Sequence, residues 1–591
     1  MRLEEYWGIG PKTSELLARE LGVEAAVRAI ESADVRTLTQ AGLPRGRATR
    51  ILRRATGGQA MNVLATRDTR EVYKEVLDLA SEYAVTDHAA DRIRVLTPLS
   101  TVEEMQARLD RVLDASEAWA ELDETTRGTV LDAFSSYGGE EGSDLAAVRT
   151  ALALLDAGIE EVADDDGVFG PLAALDRDAL SDAAAALAGL EGGGDRVGEG
   201  ADEDLDRLRE QLGAVEDLSA TPSAVLDEVQ SGARGTADFR DGLVQYVTAE
   251  TGVDLARVRE AVPSEATDAR DFVTETLRGL SGDLRSEVDE REQEVADRLA
   301  DVLDETSEAV ETAVRTVDDV ALYVSLARFA RAYDLRAARY VTDRDVIAVR
   351  NARNLSLLAT ESSVQEVNYA IGEHDIEFHR ANAPPRDDSV AVLTGANSGG
   401  KTTLLETLCQ VQLLAQMGLP VPAEEATVSV VDSVVFHRRH ASFNAGVLEA
   451  TLRSVVPPLA DEGQTLMLVD EFEAITEPGS AADLLHGLVT LTVEKGALGV
   501  FVTHLADDLE PLPEQARTDG IFAEGLTPDL ELQVDYQPRF GTVGKSTPEF
   551  IVSRLVADAG DHLERAGFET LAQAVGESAV QRTLADARWT E

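Results

Sequence analysis

The sequence predicts a multidomain chain that is mainly α in its N-terminal and middle regions, carries a long coiled-coil arm, and continues into an α/β domain. Three observations predict this. The runs at 389–393, 465–469 and 499–502 are short, continuous and apolar, as strands buried in a parallel sheet are. Between Asp283 and Ile371 there is neither Gly nor Pro, and apolar residues recur there at helical spacing. Residues 1–60 contain two similar short units, each with a glycine turn between helix-like stretches.

In the first unit, Tyr6-Trp7-Gly8-Ile9-Gly10-Pro11-Lys12-Thr13 leads into Leu16 and Leu17; in the second, Ala41-Gly42-Leu43-Pro44-Arg45-Gly46-Arg47-Ala48 leads into Ile51 and Leu52. The pair resembles a tandem helix-hairpin-helix domain. That resemblance implies DNA phosphates held, without sequence reading, by hairpin N–H groups and the start of the following helix. The candidate DNA-binding positions are Gly8, Gly10 and Lys12 in the first hairpin, and Gly42, Arg45, Gly46, Arg47 and Arg50 in the second, with Arg53 and Arg54 behind them. Pro44 stands where a glycine is usual. A small helical protein-docking domain is the alternative.

Residues 70–135 read as helices joined at Leu96-Thr97-Pro98-Leu99, with Thr101 and Glu104 as a capping box. Residues 139–204 hold 18 acidic and three basic side chains and are broken by Gly192-Gly193-Gly194 and Gly198-Glu199-Gly200, which suits an insertion or a flexible acidic segment. From Asp283 the chain becomes one long helix whose seam is Leu284, Val288, Val295, Leu299, Val302, Leu303, Val310, Val314 and Val317. It runs into 320–327, apolar on most faces and therefore buried.

The apolar strand at 389–393 leads into Gly395-Ala396-Asn397-Ser398-Gly399-Gly400-Lys401-Thr402-Thr403, which fits the phosphate-loop pattern G-x-x-x-x-G-K-[ST]. A helix-like run follows directly. Strand, glycine loop and helix start together make the match specific. The glycines let backbone N–H groups face an anion at the helix N-terminus. Lys401 is placed to reach the β- and γ-phosphates of ATP, and Thr402 to bind Mg²⁺. Downstream, Thr465-Leu466-Met467-Leu468-Val469-Asp470-Glu471 presents two carboxylates at the C-terminal end of a strand, where ligands bind in α/β sheets. Asp470 suits Mg²⁺, held through water, and Glu471 suits orienting or deprotonating an attacking water. The run from Gly499 ends in Thr503 and His504, and His504 is a candidate γ-phosphate sensor.

The 591 residues allow several domains. The net charge is −56 and the pI about 4.4, with five lysines against 49 arginines. A dispersed carboxylate surface with little lysine suits a high-salt cytoplasm, and 44% hydrophobic content argues against general disorder. Residues 1–60 carry ten basic and seven acidic side chains, so the other 531 residues hold a net −59 and the locally basic segment marks the anion-binding surface. The single cysteine, Cys409, excludes an intrachain disulfide framework, and zinc-type Cys/His clusters are absent. The start Met1-Arg2-Leu3-Glu4-Glu5 lacks a signal-type apolar stretch and no run reaches membrane-span length, so the expectation is a cytoplasmic protein.

Together these parts resemble the MutS family. T-G-A-N-S-G-G-K-T-T at 394–403 matches the family's T-G-x-N-x-G-G-K-[ST]-T, including Asn397. Gly418-Leu419-Pro420-Val421-Pro422-Ala423, Ser442-Phe443, Thr476-Glu477-Pro478-Gly479 and Thr503-His504 resemble further family segments. Leu77-Asp78-Leu79-Ala80 and 93–99 look like the start of the family's lever. The closest likeness is to the second bacterial branch, the one that usually ends in an Smr nuclease. The resemblance covers roughly 65–555 and is strongest at 390–505. It implies an ABC-type P-loop ATPase at 346–555, a helical lever and core start at 61–138, an acidic helical clamp insertion at 139–282, a coiled-coil arm and core return at 283–345, and C-terminal helices at 556–591. It also implies a homodimer with composite ATP sites. The family's mismatch-reading domain and Smr tail have no candidate here. Phe472, Glu473 and Ile475 stand where the family has small residues, which bears on the cross-subunit phosphate contact.

The function this implies is an ATP-dependent clamp on branched or distorted DNA in repair or recombination control. A chromosome-organising coiled-coil ABC ATPase is an alternative, but Leu280-Ser281-Gly282 precedes the phosphate loop and only 69 positions separate Lys401 from Asp470, too few for a long inserted arm. A non-hydrolysing ATP-binding scaffold is the other alternative. Leu485-His486-Gly487 and Val543-Gly544-Lys545-Ser546-Thr547 read as structural rather than as a nuclease motif or a second phosphate loop, since Arg539 occupies the latter's first glycine position.

Overall fold

A computed structural model describes the chain except at 1–2, 4–5, 7–8, 32, 140–142, 160–166, 192–195, 233–235, 265, 362, 379–382, 396–399, 440–444, 462, 472–477, 527–531, 545–547, 577, 579 and 585–591. Two units divide it, one of Met1–Arg127, Asp166–Val168 and Asp318–Glu591, the other of Gly128–Asp165 and Phe169–Val317.

The first unit begins with helices α1 (Pro11–Glu20), α2 (Val23–Glu31), α3 (Val35–Gln40) and α4 (Arg45–Gly57). Pro11 opens α1 after Gly10, a position where its missing N–H costs nothing. Asp34 caps α3 by accepting from the Thr37 N–H at 2.9 Å. Gly42, at φ 93°, makes the turn between α3 and α4 that a side chain would strain. Leu17, Ile30, Leu38, Ile51 and Leu52 close this small core. Helices α5 (Arg67–Ser81), α6 (Asp87–Arg94) and α7 (Val102–Glu121) follow, capped by Thr66, Thr86 and Thr101. The N-cap half of the expected capping box is formed, the Glu104 N–H donating to Thr101 Oγ1 at 3.3 Å, while the Glu104 carboxylate accepts from the Thr101 hydroxyl at 3.0 Å in place of the backbone N–H.

The second unit takes in most of α8 (Glu124–Gly139), then α9 (Asp144–Asp156), α10 (Gly170–Ala173), α11 (Arg177–Gly189) and a short hairpin of β1 (Leu190–Glu191) and β2 (Arg196–Val197). Helices α12 (Glu203–Ala220), α13 (Pro222–Gly232), α14 (Thr236–Thr251) and α15 (Leu255–Glu260) lead to α16 (Ala269–Ala332), 64 residues long. The described part of the acidic 139–204 region is thus largely helical, with Val148, Leu154, Leu180 and Ala183 buried. Helix α16 starts earlier than the sequence suggests. Gly279 and Gly282 lie inside it, because a helix of this length tolerates a cost of about 1 kcal/mol per glycine. A boundary drawn at 282 therefore cuts a continuous helix. Val288, Val295 and Leu299 of the seam pack against Leu205, Leu208 and Leu212 of α12. The buried stretch 320–327 joins the core of the first unit through Leu322 and Leu326.

The α/β part contains β3 (Ala338–Val341), β4 (Val346–Ala352), α17 (Leu355–Leu358), β5 (Val367–Gly372), β6 (Val390–Gly395), α18 (Lys401–Gln416), β7 (Glu425–Ser429), β8 (Ser433–His437), α19 (Ala445–Ala460), β9 (Thr465–Asp470), α20 (Pro478–Glu494), β10 (Leu498–Val502), β11 (Ala516–Leu526) and β12 (Leu532–Phe540), and the chain continues into α21 (Pro548–Asp558) and α22 (His562–Val575). A boundary at 346 separates β3 from the four-stranded sheet β3-β7-β4-β5 that it pairs into, and one at 555 falls within α21. The six-stranded sheet has the order β12-β11-β6-β10-β9-β8 and is parallel from β11 to β8. Its strands alternate in period two. Ala391, Leu393, Leu466, Leu468 and Val500 face the core that holds α5 and α18, while Val390, Val392, Met467, Val469 and Phe501 face α20. Cys409 is buried on α18, and burial pushes its thiol pKa well up.

The edge of the six-stranded sheet at β8 is covered by the chain that enters α5. The Ala65 N–H donates to Val434 O at 3.3 Å, Thr66 Oγ1 donates to Phe436 O at 2.5 Å, and the Phe436 N–H donates to Thr69 Oγ1 at 2.9 Å. Threonine hydroxyls thus take the place of a neighbouring strand, which protects an edge that would otherwise pair with another chain.

Candidate nucleotide site

Strand β6 is buried along its length and ends at Gly395, whose φ of 131° is open only to glycine. A Cβ there would lie 2.2 Å from the Ile521 carbonyl oxygen of β11. Residues Ala396, Asn397, Ser398 and Gly399 lie outside the described residues. Gly400, at φ 71°, caps α18, and a Cβ there would lie 2.7 Å from the Tyr536 ring. Lys401, in the first turn of α18, is buried and folds back so that Nζ donates to Gly395 O at 2.8 Å. The loop's two ends are thereby tied, with the positive end of a helix at its mouth. Thr403 follows, its carbonyl accepting from Asn354 Nδ2 at 3.4 Å.

The acidic strand comes to the same place because β10 alone separates β9 from β6. Thr402 Oγ1 donates to Asp470 Oδ2 at 2.5 Å, so two residues 68 positions apart form one oxygen-rich corner. Glu471 is buried, with its N–H donating to Val502 O at 3.0 Å and its backbone at φ 42°. Its Oε1 accepts from His504 Nε2 at 2.9 Å, and its Oε2 pairs with Arg439 Nη1 at 2.5 Å. His504, expected at the γ-phosphate, thus reaches the site through Glu471. A non-glycine residue in the left-handed region is uncommon, and Glu471 shares it with Ala33, Asp334 and Asn351.

Beside Lys401 and Thr402 opens a cavity of about 660 Å³, lined in part by Asn354, Leu357, Val367, Thr407 and Tyr536. This is the volume of a typical cofactor site. Asn354 Nδ2 also donates to Thr407 Oγ1 at 3.2 Å, which joins α17 to α18 on that wall.

Several residues here were not singled out from the sequence. Arg439 stands two residues past β8, in the pair Arg438-Arg439 that follows an apolar strand, and that pairing was a usable signal. Asn354 and Tyr536 had none, since tertiary packing brings α17 and β12 to the loop. Gly544, read as structural, lies under the phosphate loop: its N–H donates to Thr394 Oγ1 at 2.6 Å, and a Cβ there would meet Thr394 O at 2.8 Å. Beneath it, Tyr369 OH donates to Asp519 Oδ2 at 2.9 Å and Arg517 Nε donates to Asp519 Oδ1 at 3.0 Å. Burial raises the Asp519 pKa and Arg517 opposes that rise. His486 bonds Leu509 O at 3.0 Å from its place on α20, a packing role.

In the N-terminal helices, Gly8 lies outside the described residues. Gly10, Lys12, Gly42, Gly46 and Arg50 are exposed at or near the starts of α1 and α4. Arg45 and Arg47 are engaged within the fold. Arg45 pairs with Asp91 at 2.5 Å, and Arg47 Nη2 donates to Thr13 Oγ1 at 2.7 Å, bridging the two helix starts. Arg53 Nε donates to Arg94 O at 2.7 Å. These guanidinium groups thus have partners on α1 and α6 although Arg45 and Arg47 stay exposed, which the sequence pattern did not show.

Among the described residues no helix is long and apolar enough to cross a membrane, and no cluster of three or more His, Cys, Asp or Glu stands ready for a metal. The model of MutS domain V matches residues 391–456. The chain is 46% identical over 192 residues to the DNA-binding protein MutS2 of Pyrococcus furiosus, covering 32% of this chain and 34% of that protein. It is 26% identical over 478 residues to the DNA mismatch repair protein MutS of Natronomonas pharaonis, covering 76% of this chain and 53% of that one. It is 32% identical over 172 residues to an endonuclease MutS2 of Thermus thermophilus, covering 28% and 23%. The chain therefore spans between about a quarter and about half of the length of these relatives. The matched segment runs from the strand that feeds the phosphate loop, through α18, to β8 and into α19, and these likenesses support a member of the MutS family.

Proposed function

We propose that the chain hydrolyses ATP with Mg²⁺ and uses nucleotide state to control a clamp on branched or otherwise distorted DNA in repair or recombination control. The observation that carries this is the Thr402–Asp470 contact at 2.5 Å, with Lys401 tied over the loop beside it. Two hard oxygen donors suit Mg²⁺, which keeps several waters and takes few protein ligands. Bound there, Mg²⁺ would neutralise charge on the phosphate oxygens. Lys401 and the α18 N-terminus bind phosphate, the cavity by Tyr536 takes the nucleoside, and Glu471 orients the water. Asn397 and the other loop residues at 396–399 complete the phosphate cradle in this reading.

The assembly is a homodimer with composite ATP sites, as the family resemblance implies, and a cytoplasmic one. The N-terminal helices contact DNA phosphates without reading sequence, through Gly10, Lys12, Gly42, Gly46 and Arg50. Arg45 and Arg47 shape that surface. The acidic remainder suits a salty cell, where counterion release weakens charge-driven binding and enclosure matters more.

A competition panel of duplex, mismatched, forked and four-way DNA at molar salt, with and without ATP, tests the substrate class. Branched DNA should win. Deleting residues 1–60 should weaken DNA binding at least tenfold while ATP turnover persists; undiminished affinity would remove the N-terminal helices from DNA contact. Tyr536→Ala should weaken ATP binding by about tenfold, since stacking of a base on an aromatic ring contributes ~1–3 kcal/mol. Equilibrium titration with a fluorescent ATP analogue reads this, and an unchanged Kd would place the base elsewhere.

A further inference from the structure

Glu471 can orient a water only if a carboxylate oxygen is available to it. In the structure both oxygens are engaged, Oε1 by His504 and Oε2 by Arg439. The pair is uneven in exposure: the Glu471 side chain is 10% exposed and that of Arg439 54%, so the arginine can leave at little cost while the carboxylate stays.

What places Arg439 is its neighbour. The Arg438 guanidinium lies 3.4 Å from Glu75 and 3.9 Å from Glu71, both on α5, and 3.3 Å from Glu406 on α18. The Arg438 N–H donates to Asp68 Oδ2 at 2.7 Å. These contacts continue the Thr66 and Thr69 hydroxyl bonds along β8. Helix α5 thus holds the end of β8 by backbone and side chain alike, and the next residue along holds Glu471.

We propose that Arg439 is a positioning residue that restrains Glu471, and that α5, acting through Arg438, sets the restraint. The proposal rests on the reading of Glu471 as the residue that orients water. It gives the helical region that follows residues 1–60 a physical route to the hydrolysis site. A shift of α5 moves the 438–439 peptide, and a state in which Arg439 lets go is the hydrolysing one.

Steady-state ATP turnover by the full chain with Mg²⁺ tests this. Arg439→Ala and Arg439→Gln should raise kcat by about threefold to tenfold, a loss of roughly 1 kcal/mol of barrier, with KM for ATP unchanged. Arg439→Lys, which keeps the charge, should stay near the parent rate. The pair Glu71→Gln with Glu75→Gln should reproduce the rise in part, because it removes the two α5 carboxylates from the Arg438 guanidinium and leaves it only Glu406. A fall or no change in kcat for Arg439→Ala, or equal behaviour of the Lys and Ala variants, overturns the restraint. Glu471→Gln, measured alongside, separates the two readings. If it loses turnover while Arg439→Ala changes nothing, only the restraint fails; if it keeps full turnover, the role of Glu471 and the restraint fail together.

Discussion

Glu471→Gln should lower ATP turnover by about 10²–10³-fold and leave ATP binding intact. The substitution keeps shape and the hydrogen bond from His504, but removes the charge that accepts a proton and pairs with Arg439. Loss of a general base costs typically 10²–10⁴-fold. Binding should persist because the phosphate contacts come from other groups: Lys401, the start of α18, and the Thr402–Asp470 corner. Single-turnover hydrolysis and equilibrium binding, measured on the same preparation, check both halves. Unchanged hydrolysis would take Glu471 out of the reaction. Lost binding would mean that Glu471 serves the fold of the site instead.

The second large effect is expected at Gly395. Gly395→Ala puts a Cβ 2.2 Å from the Ile521 carbonyl oxygen, at φ 131°, where an L-residue is strained regardless of space. The obstacle is backbone of a neighbouring strand, so it cannot swing away as a side-chain end would. Strain of this kind costs about 1–3 kcal/mol before the clash is counted. The total should exceed ~3 kcal/mol, within the exceptional range for a point change. Thermal unfolding should show the first unit melting several degrees lower, and ATP should no longer raise the melting temperature. Gly487→Ala, on α20 with open space around it, is the control; it should be neutral or slightly stabilising. Equal behaviour of the two variants would mean that β6 and β11 separate more easily than their pairing implies.

The parts legible in the sequence were those where one residue type alone can serve. The phosphate loop was readable because its glycines need backbone conformations closed to other residues, and Gly395 and Gly400 take them. The strand before it and the acidic strand were readable because a strand buried on both faces carries a continuous apolar run, as β6 does at 390–393 and β9 at 466–469. The pairing of Thr101 with Glu104 was local, and the threonine caps α7 as read, with its hydroxyl rather than its N–H meeting the glutamate. The start of α16 was misjudged because glycine is a weak helix breaker once a helix is long and packed. The roles of Arg45 and Arg47 were only half legible: a basic run announces an anion surface, but which cations find a partner within the fold depends on Asp91 and Thr13, each tens of positions away along the chain.

The sequence by itself determined that a glycine loop, a lysine and two strand-end carboxylates would stand in one α/β domain, because local backbone demands and burial patterns are written residue by residue. Only the tertiary structure decided which side chains close on them. The order β6-β10-β9 brings Thr402 to Asp470, the hairpin β11-β12 brings Tyr536 to Gly400, and β8, held at its edge by α5, brings Arg439 to Glu471. Such contacts join residues tens to hundreds of positions apart. They depend on which strand lies beside which, and no local pattern in the chain records that choice.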